Sequence, residues 1–182
     1  MITFITGNDD KFREVADMLA PIPLVKKKLD LPEIQSIDGE EIIREKLSVA
    51  QAHAPGEYIV EDTSLYFDCL GGKLPGPLVK WFEKAIQNEG LADLVLKYGD
   101  NGALMRCLVG YSDPNGSVKF FTGDIRVKIV TPRGEKGWGL DPILEVNGKT
   151  YGEMEHAEKH LISNRGIAMR RLKDFLLEKA VM

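Results

Sequence analysis

At 182 residues, with 43% hydrophobic and 29% charged content, the chain is long and apolar enough to bury a core of its own, which excludes disorder and collagen-like repeats. Its 24 Lys and Arg against 28 Asp and Glu leave a net charge of −4, which argues against a duplex-binding surface that neutralises many phosphates. Cys69 and Cys107 lie far apart in apolar stretches with no Cys-x-x-Cys spacing, and read as buried reduced thiols. The first residues carry no basic n-region, and no window approaches about eighteen unbroken apolar residues. The expectation is a cytoplasmic protein that engages neither nucleic acid nor membrane.

In chain order, residues 2 to 5 are β-prone and stop at Gly7-Asn8, after which Phe12, Val15, Ala16 and Leu19 recur at helical spacing. Pro21 and Pro23 end that helix, and Leu24 to Leu29 reads as a second strand, its Lys26-Lys27-Lys28 run being a solvated edge. Asp38 followed by Glu41 predicts a capping-box start for a helix with Ile42, Ile43, Leu47 and Ala50 inward. Tyr58 to Val60 is a short strand running into Glu61-Asp62, with Leu65 to Phe67 continuing extended before a glycine- and proline-rich loop over 71–77. A helix follows over about 78–98. Two long β-prone runs, Ala103 to Ser112 and Ser117 to Val130, flank Asp113-Pro114-Asn115-Gly116 and predict an antiparallel hairpin. Beyond the Trp138–Pro142 loop, a closing helix starts near Ser163. No linker or repeat interrupts the chain, so residues 1–182 are expected to form a single α/β domain with an elongated mixed central sheet and flanking helices.

Several residues in this frame can do chemistry. Thr6-Gly7-Asn8-Asp9-Asp10-Lys11 sits at a strand-to-helix junction, where backbone amides favour an anion. A lysine in the first helical turn opposes the macrodipole unless an anion is bound or Asp9 or Asp10 pairs with it. Glu61 and Asp62 end a strand where open α/β sheets place ligands, and paired carboxylates there could hold a hard cation. Lys46, on the inward face of its helix, either snorkels to the edge or meets a buried anion, and taken alone favours snorkelling. Glu33 follows the second strand as a loop acid. Trp138 lies between Gly137 and Gly139, either a platform for a base or a core anchor. Ser163 is an N-cap candidate just before Asn164 and Arg165, and Lys159 lies one turn earlier.

Taken in order, the blocks Thr6 to Lys11, Asp30-Leu31-Pro32-Glu33, Val60-Glu61-Asp62-Thr63, Gly71-Gly72 with Leu74 to Pro77 and Lys80-Trp81-Phe82, Gly139 to Pro142, Ala157-Glu158-Lys159 and Ser163-Asn164-Arg165 resemble the inosine triphosphate pyrophosphatase family. That resemblance implies two lobes around a nucleotide cleft, a homodimer, and Mg2+-dependent hydrolysis of non-canonical purine nucleoside triphosphates (ITP, dITP, XTP) to the monophosphate and pyrophosphate. It implies that Thr6, Gly7, Asn8, Lys11, Lys46, Thr63 and Lys80 position phosphates and sugar. Glu33 and Asp62 would bind Mg2+, with Asp62 activating water beside a catalytic Lys11. Trp138, Gly139, Leu140, Asp141, Lys159, Asn164 and Arg165 would surround the base.

Two positions depart from the family pattern. Asn164 stands where the family usually has His, which predicts weaker or differently built selection against adenine. Lys73 lengthens the usual Gly-Gly-x-Pro-Gly loop by one residue, putting the register of its phosphate contacts in doubt. Competing readings are a non-catalytic nucleotide sensor, a related pyrophosphatase for modified pyrimidine nucleotides, and a zinc hydrolase built on His156 and His160. The two histidines stand four residues apart, but Glu158 is not where a His-Glu-x-x-His site needs its base.

Overall fold

The computed structural model describes residues 1–31 and 34–181. β1 (Ile2–Ile5), α1 (Asp9–Leu19), β2 (Leu24–Lys27) and α2 (Gly39–His53) open the chain. β3 (Glu57–Phe67), β4 (Pro75–Gly76) and α3 (Val79–Tyr98) follow, then the hairpin β5 (Gly102–Ser112) and β6 (Val118–Ile129). The short β7 (Leu144–Val146) and β8 (Lys149–Thr150) precede α4 (His156–Ile162) and α5 (Asn164–Val181).

The sheet runs β2-β1-β3-β5-β6-β7-β8, with β4 added beside β3. β1 pairs in parallel with β2 and β3, and the remaining pairings are antiparallel, so the sheet is mixed. β3 and β5 extend past the edges of the first lobe and carry the fold into the second. On one face of the first half, Phe4, Val15, Ile59, Cys107, Val109 and Leu172 pack together, bringing α1 and α5 onto the sheet. On the opposite face, Ile43, Leu47, Val60 and Leu108 seat α2. Further along the same strands, Leu65, Phe67, Leu91, Val95, Met105 and Ile143 form a separate core with α3. Asp62 and Thr63 fall between these cores, and there the cleft opens.

Local chemistry explains the element boundaries, including those that differ from expectation. Asp38 caps α2 by accepting from the Glu40 amide at 2.9 Å. The capping box does not close, because the Ser36 hydroxyl satisfies the Asp38 amide at 3.0 Å and itself donates to Glu41 at 2.6 Å. β2 stops at Lys27, two residues short of the predicted run, and its lysines do lie on a sheet edge. The 78–98 helix breaks at Gln87, which takes φ 59°. The closing helix starts at Asn164, with the Ser163 hydroxyl just before it accepting from the Gly166 amide at 3.1 Å, and a short helix, α4, that was not expected precedes it. Cys107 is buried as expected, whereas Cys69 is only partly so, and neither forms a disulfide. Among the described residues, no helix is long and apolar enough to cross a membrane.

Candidate active site

A cleft of about 890 Å³ lies between the two halves. The structure brings Thr6, Gly7, Asn8, Lys11, Lys46, Asp62, Thr63 and Lys80 to its walls, together with Trp138, Gly139, Leu140, Asp141, Lys159, Asn164 and Arg165. Glu33 lies outside the described residues. Of the lengthened 71–77 loop, only Pro77 faces the cleft, because Pro75 and Gly76 pair with Tyr66 and Leu65 and the extra residue is taken up before that pairing.

At the start of α1, the Thr6 hydroxyl accepts from the Asn8 amide at 3.1 Å, and Asn8 Oδ1 accepts from the Lys11 amide at 3.0 Å. The neighbouring acids do not pair with Lys11: Asp9 bonds Lys26, and Asp10 bonds Arg13. Lys11 Nζ instead stands 3.3 Å from Glu61. Across the strand, Lys46 Nζ stands 3.7 Å from Asp62, with only 13% of its side chain exposed. Lys46 therefore meets a carboxylate inside the cleft, where its sequence position alone favoured snorkelling.

Glu61 and Asp62 do not act as a pair. Successive strand residues point to opposite faces, so Glu61 joins the α1–α5 side and Asp62 the α2 side. Glu61 is fully committed: Arg165 donates to it through Nε at 2.9 Å and Nη2 at 2.8 Å, and Thr63 donates at 3.1 Å. Burial alone would raise its pKa, but Arg165 and Lys11 outweigh burial and hold the carboxyl far below the usual range. This leaves Asp62, rather than Glu61, to face the open part of the cleft, which Asp30 also lines.

Glu14, which the sequence reading missed, lies behind the wall of the deep end and ties its lining residues together. Its Oε2 accepts from Arg165 Nη1 at 2.6 Å, and its Oε1 accepts from Lys159 Nζ and Trp138 Nε1, both at 3.0 Å. Lys159 also donates to Asp141 at 2.7 Å, and Asp141 accepts from the Trp138 amide at 2.8 Å. Burial would raise the Glu14 pKa, yet Arg165 and Lys159 together bring it below normal. In Asp141 burial prevails over Lys159 and the pKa goes up. Both cations sit over the Trp138 ring, Arg165 at 5.1 Å and Lys159 at 5.5 Å from its centroid. The signal for Glu14 was its place one turn after Lys11 and beside Val15, on the inner face of α1.

Two glycines permit this geometry. A Cβ at Gly123 on β6 would lie 2.0 Å from the Asn164 carbonyl oxygen, so only glycine lets α5 start this close to the sheet and deliver Arg165 into the cleft. At Gly137, with φ 79°, a Cβ would lie 2.1 Å from Asp141 Oδ2, the atom that holds the Trp138 loop. Asn88 Nδ2 ties that loop to α3 by donating to the Gly139 carbonyl at 2.9 Å. Nearby, burial and the Asp141 charge raise the pKa of Glu83, a second acid not singled out from sequence.

Known proteins resemble this chain over nearly its whole length. A family model described as the Ham1 family matches residues 2–175. The inosine triphosphate pyrophosphatase of Pyricularia oryzae is 42% identical over 180 residues, covering 98% of this chain and 94% of that one. Its counterpart from Podospora anserina is 43% identical over 180 residues, covering 98% and 95%. Among solved structures, the Staphylococcus aureus Ham1 protein superposes with a TM-score of 0.79 at 25% identity, over 98% of this chain and all 100% of that one.

Proposed function

From the premise that the chain belongs to the Ham1 family, we propose that it hydrolyses non-canonical purine nucleoside triphosphates such as ITP, dITP and XTP to the monophosphate and pyrophosphate. The observation that carries this reading is the cleft itself. Lysines and Asp62 stand at its open part, and a dry set of donors beside an indole ring stands at its deep end.

A triphosphate fills the first part and a purine the second. Lys11, Lys46 and Lys80 offset the phosphate charge so that water can approach the α-phosphorus, and the positive end of the α1 dipole favours the same anion. Asp62 accepts the water's proton as the new P–O bond forms and the bond to the β-phosphate breaks, releasing pyrophosphate without a covalent intermediate. Positioning and preset charge supply most of the acceleration. The residues present fit Mg2+: Asp62 is a hard oxygen donor, 17% exposed and close to lysines that would face phosphate oxygens. Glu33 is the proposed second ligand. When bound, the ion offsets charge on the departing pyrophosphate.

Base selection falls to Arg165. Of its five N–H donors, three are held by Glu61 and Glu14, and the rest can serve a 6-oxo group. They cannot accept from the 6-amino group of adenine, and a desolvated donor facing a donor is a strong basis for rejection. Guanine shares the 6-oxo group, so its exclusion depends on crowding at the 2-amino position.

The reading also takes residues 1–182 to work as one domain, in a homodimer, in the cytoplasm; light scattering on the purified chain checks the dimer. The deciding experiment is a substrate panel of inosine, xanthosine and standard triphosphates with Mg2+. Monophosphate plus pyrophosphate is the expected product pair. Orthophosphate as first product would place cleavage at the γ-phosphorus, and binding without turnover would make the protein a nucleotide sensor.

A further inference from the structure

His156 and His160, which have no place in the hydrolytic reading, lie against the back of the base-binding end. They are one turn apart on α4, with ring centroids 6.2 Å apart. A ligand atom from each, and a carboxylate oxygen of Glu14, all lie within 4.8 Å of one another. This is the one group of three or more His, Cys, Asp or Glu side chains so placed among the described residues. His160 Nε2 is buried and has no hydrogen-bond partner among them, a costly state for an imidazole nitrogen unless something binds there.

We infer that Glu14, His156 and His160 form a binding site for a zinc-type divalent ion, through which such an ion loosens Glu14 from Lys159 and shuts down the base-binding end of the cleft.

The donor set selects the class of ion. Two imidazoles and one carboxylate suit zinc or its first-row neighbours and are poor ligands for magnesium, which takes oxygen donors. Tetrahedral coordination at 2.0–2.1 Å would bring the three donors to about 3.3 Å apart, with water as the fourth ligand. The exposed His156 side chain can make that closure by rotation. Glu14 retains capacity for it, because a carboxylate has about four acceptor positions and Arg165, Lys159 and Trp138 occupy three. Charge does not forbid the ion, since Glu14, Glu61 and Asp141 balance Lys11, Lys159 and Arg165 across the cluster. Its arrival makes the cluster positive, and the bond from Lys159 to Glu14 is the one placed to give way. Binding needs no nucleotide; only the inhibitory consequence rests on the proposed hydrolysis.

The test uses the full chain and Zn2+ as probe. Calorimetric titration in excess Mg2+, without nucleotide, is expected to give one Zn2+ per chain. His156→Ala and His160→Gln should each weaken binding by more than the roughly 10–100-fold that loss of a mere supporting residue costs. Co2+ should develop a visible tetrahedral absorption band in the parent protein and not in His156→Ala. Zn2+ should slow Mg2+-supported pyrophosphate release from ITP in the parent protein but not in His156→Ala, whose rate in Mg2+ alone should match the parent's. Absence of Zn2+ binding overturns the inference, as does equal affinity in parent and both variants. Inhibition undiminished in His156→Ala would put the ion on Asp62 and overturn it too. Histidine-dependent Zn2+ binding in a protein that hydrolyses no nucleotide would uphold the metal site and sink the hydrolytic reading.

Discussion

At the deep end of the cleft, Arg165, Lys159, Glu14 and Asp141 are all at most 6% exposed and linked by hydrogen bonds of 2.6 to 3.0 Å. At the open part, the Lys11, Lys46 and Asp62 side chains keep 22%, 13% and 17% exposure, and the lysines stand 3.3 and 3.7 Å from Glu61 and Asp62. The first arrangement is buried and closely hydrogen-bonded, so a mismatched group entering it would meet donors already held in place. The second is wetter and longer in its contacts, suited to cations that exchange a carboxylate for a polyanion when one arrives. Under the proposed function, discrimination and chemistry fall in different physical environments along one cleft, and Glu61, touched by both Lys11 and Arg165, joins them.

Breaking the open part should leave the fold intact. Asp62→Asn is predicted to lower turnover by on the order of 10²–10⁴-fold with an unchanged circular dichroism spectrum; a near-parental rate would remove Asp62 from the chemistry. Breaking the dry end should do the reverse. Glu61→Ala leaves the Arg165 guanidinium buried without its bidentate partner, a loss of about 3–5 kcal/mol, read as a fall in Tm of roughly 6–20 °C for a chain of this size.

The pH dependence of that stability has a fixed sign. Glu61 and Glu14 both have folded pKa values below their ordinary 4.5. Their contribution is therefore complete above pH 4.5 and is lost as pH falls below it towards the folded values. Tm should drop over that acidic range in the parent and drop less steeply in Glu61→Gln. Lys11→Ala removes one charge proposed to face the phosphates and is expected to cost roughly 10²-fold in kcat/KM. The smallest change sharpens selection: Asn164→His should raise the preference for ITP over ATP by about tenfold, the worth of one good hydrogen bond. An unchanged ratio would exclude position 164 from base recognition.

Much of this was legible in the chain itself. The hydrophobic periods located α1, α2 and the long hairpin, and the Asp113–Gly116 turn placed the antiparallel register, because those signals are local. The motif residues were weak signals one by one and were picked out by the order in which they resemble a known family. Glu14 was not, since an acid on an inner helix face reads as amphipathic noise until Arg165 and Lys159 arrive from a segment more than 140 residues away. The short strands β7 and β8 were also missed, being too brief to show a period, as was the break at Gln87, where no proline marks it.

By itself the sequence determined the longer elements, their order and the residue types available for phosphate, metal and base. Only the tertiary structure decided that Glu61 and Asp62 serve opposite faces, that Lys46 turns inward, and that Glu14 is the hub of the deep end. The physical reason is range: periodicity, capping and turn chemistry act over a few residues, whereas a buried charge finds its partner only when distant helices close on the same sheet.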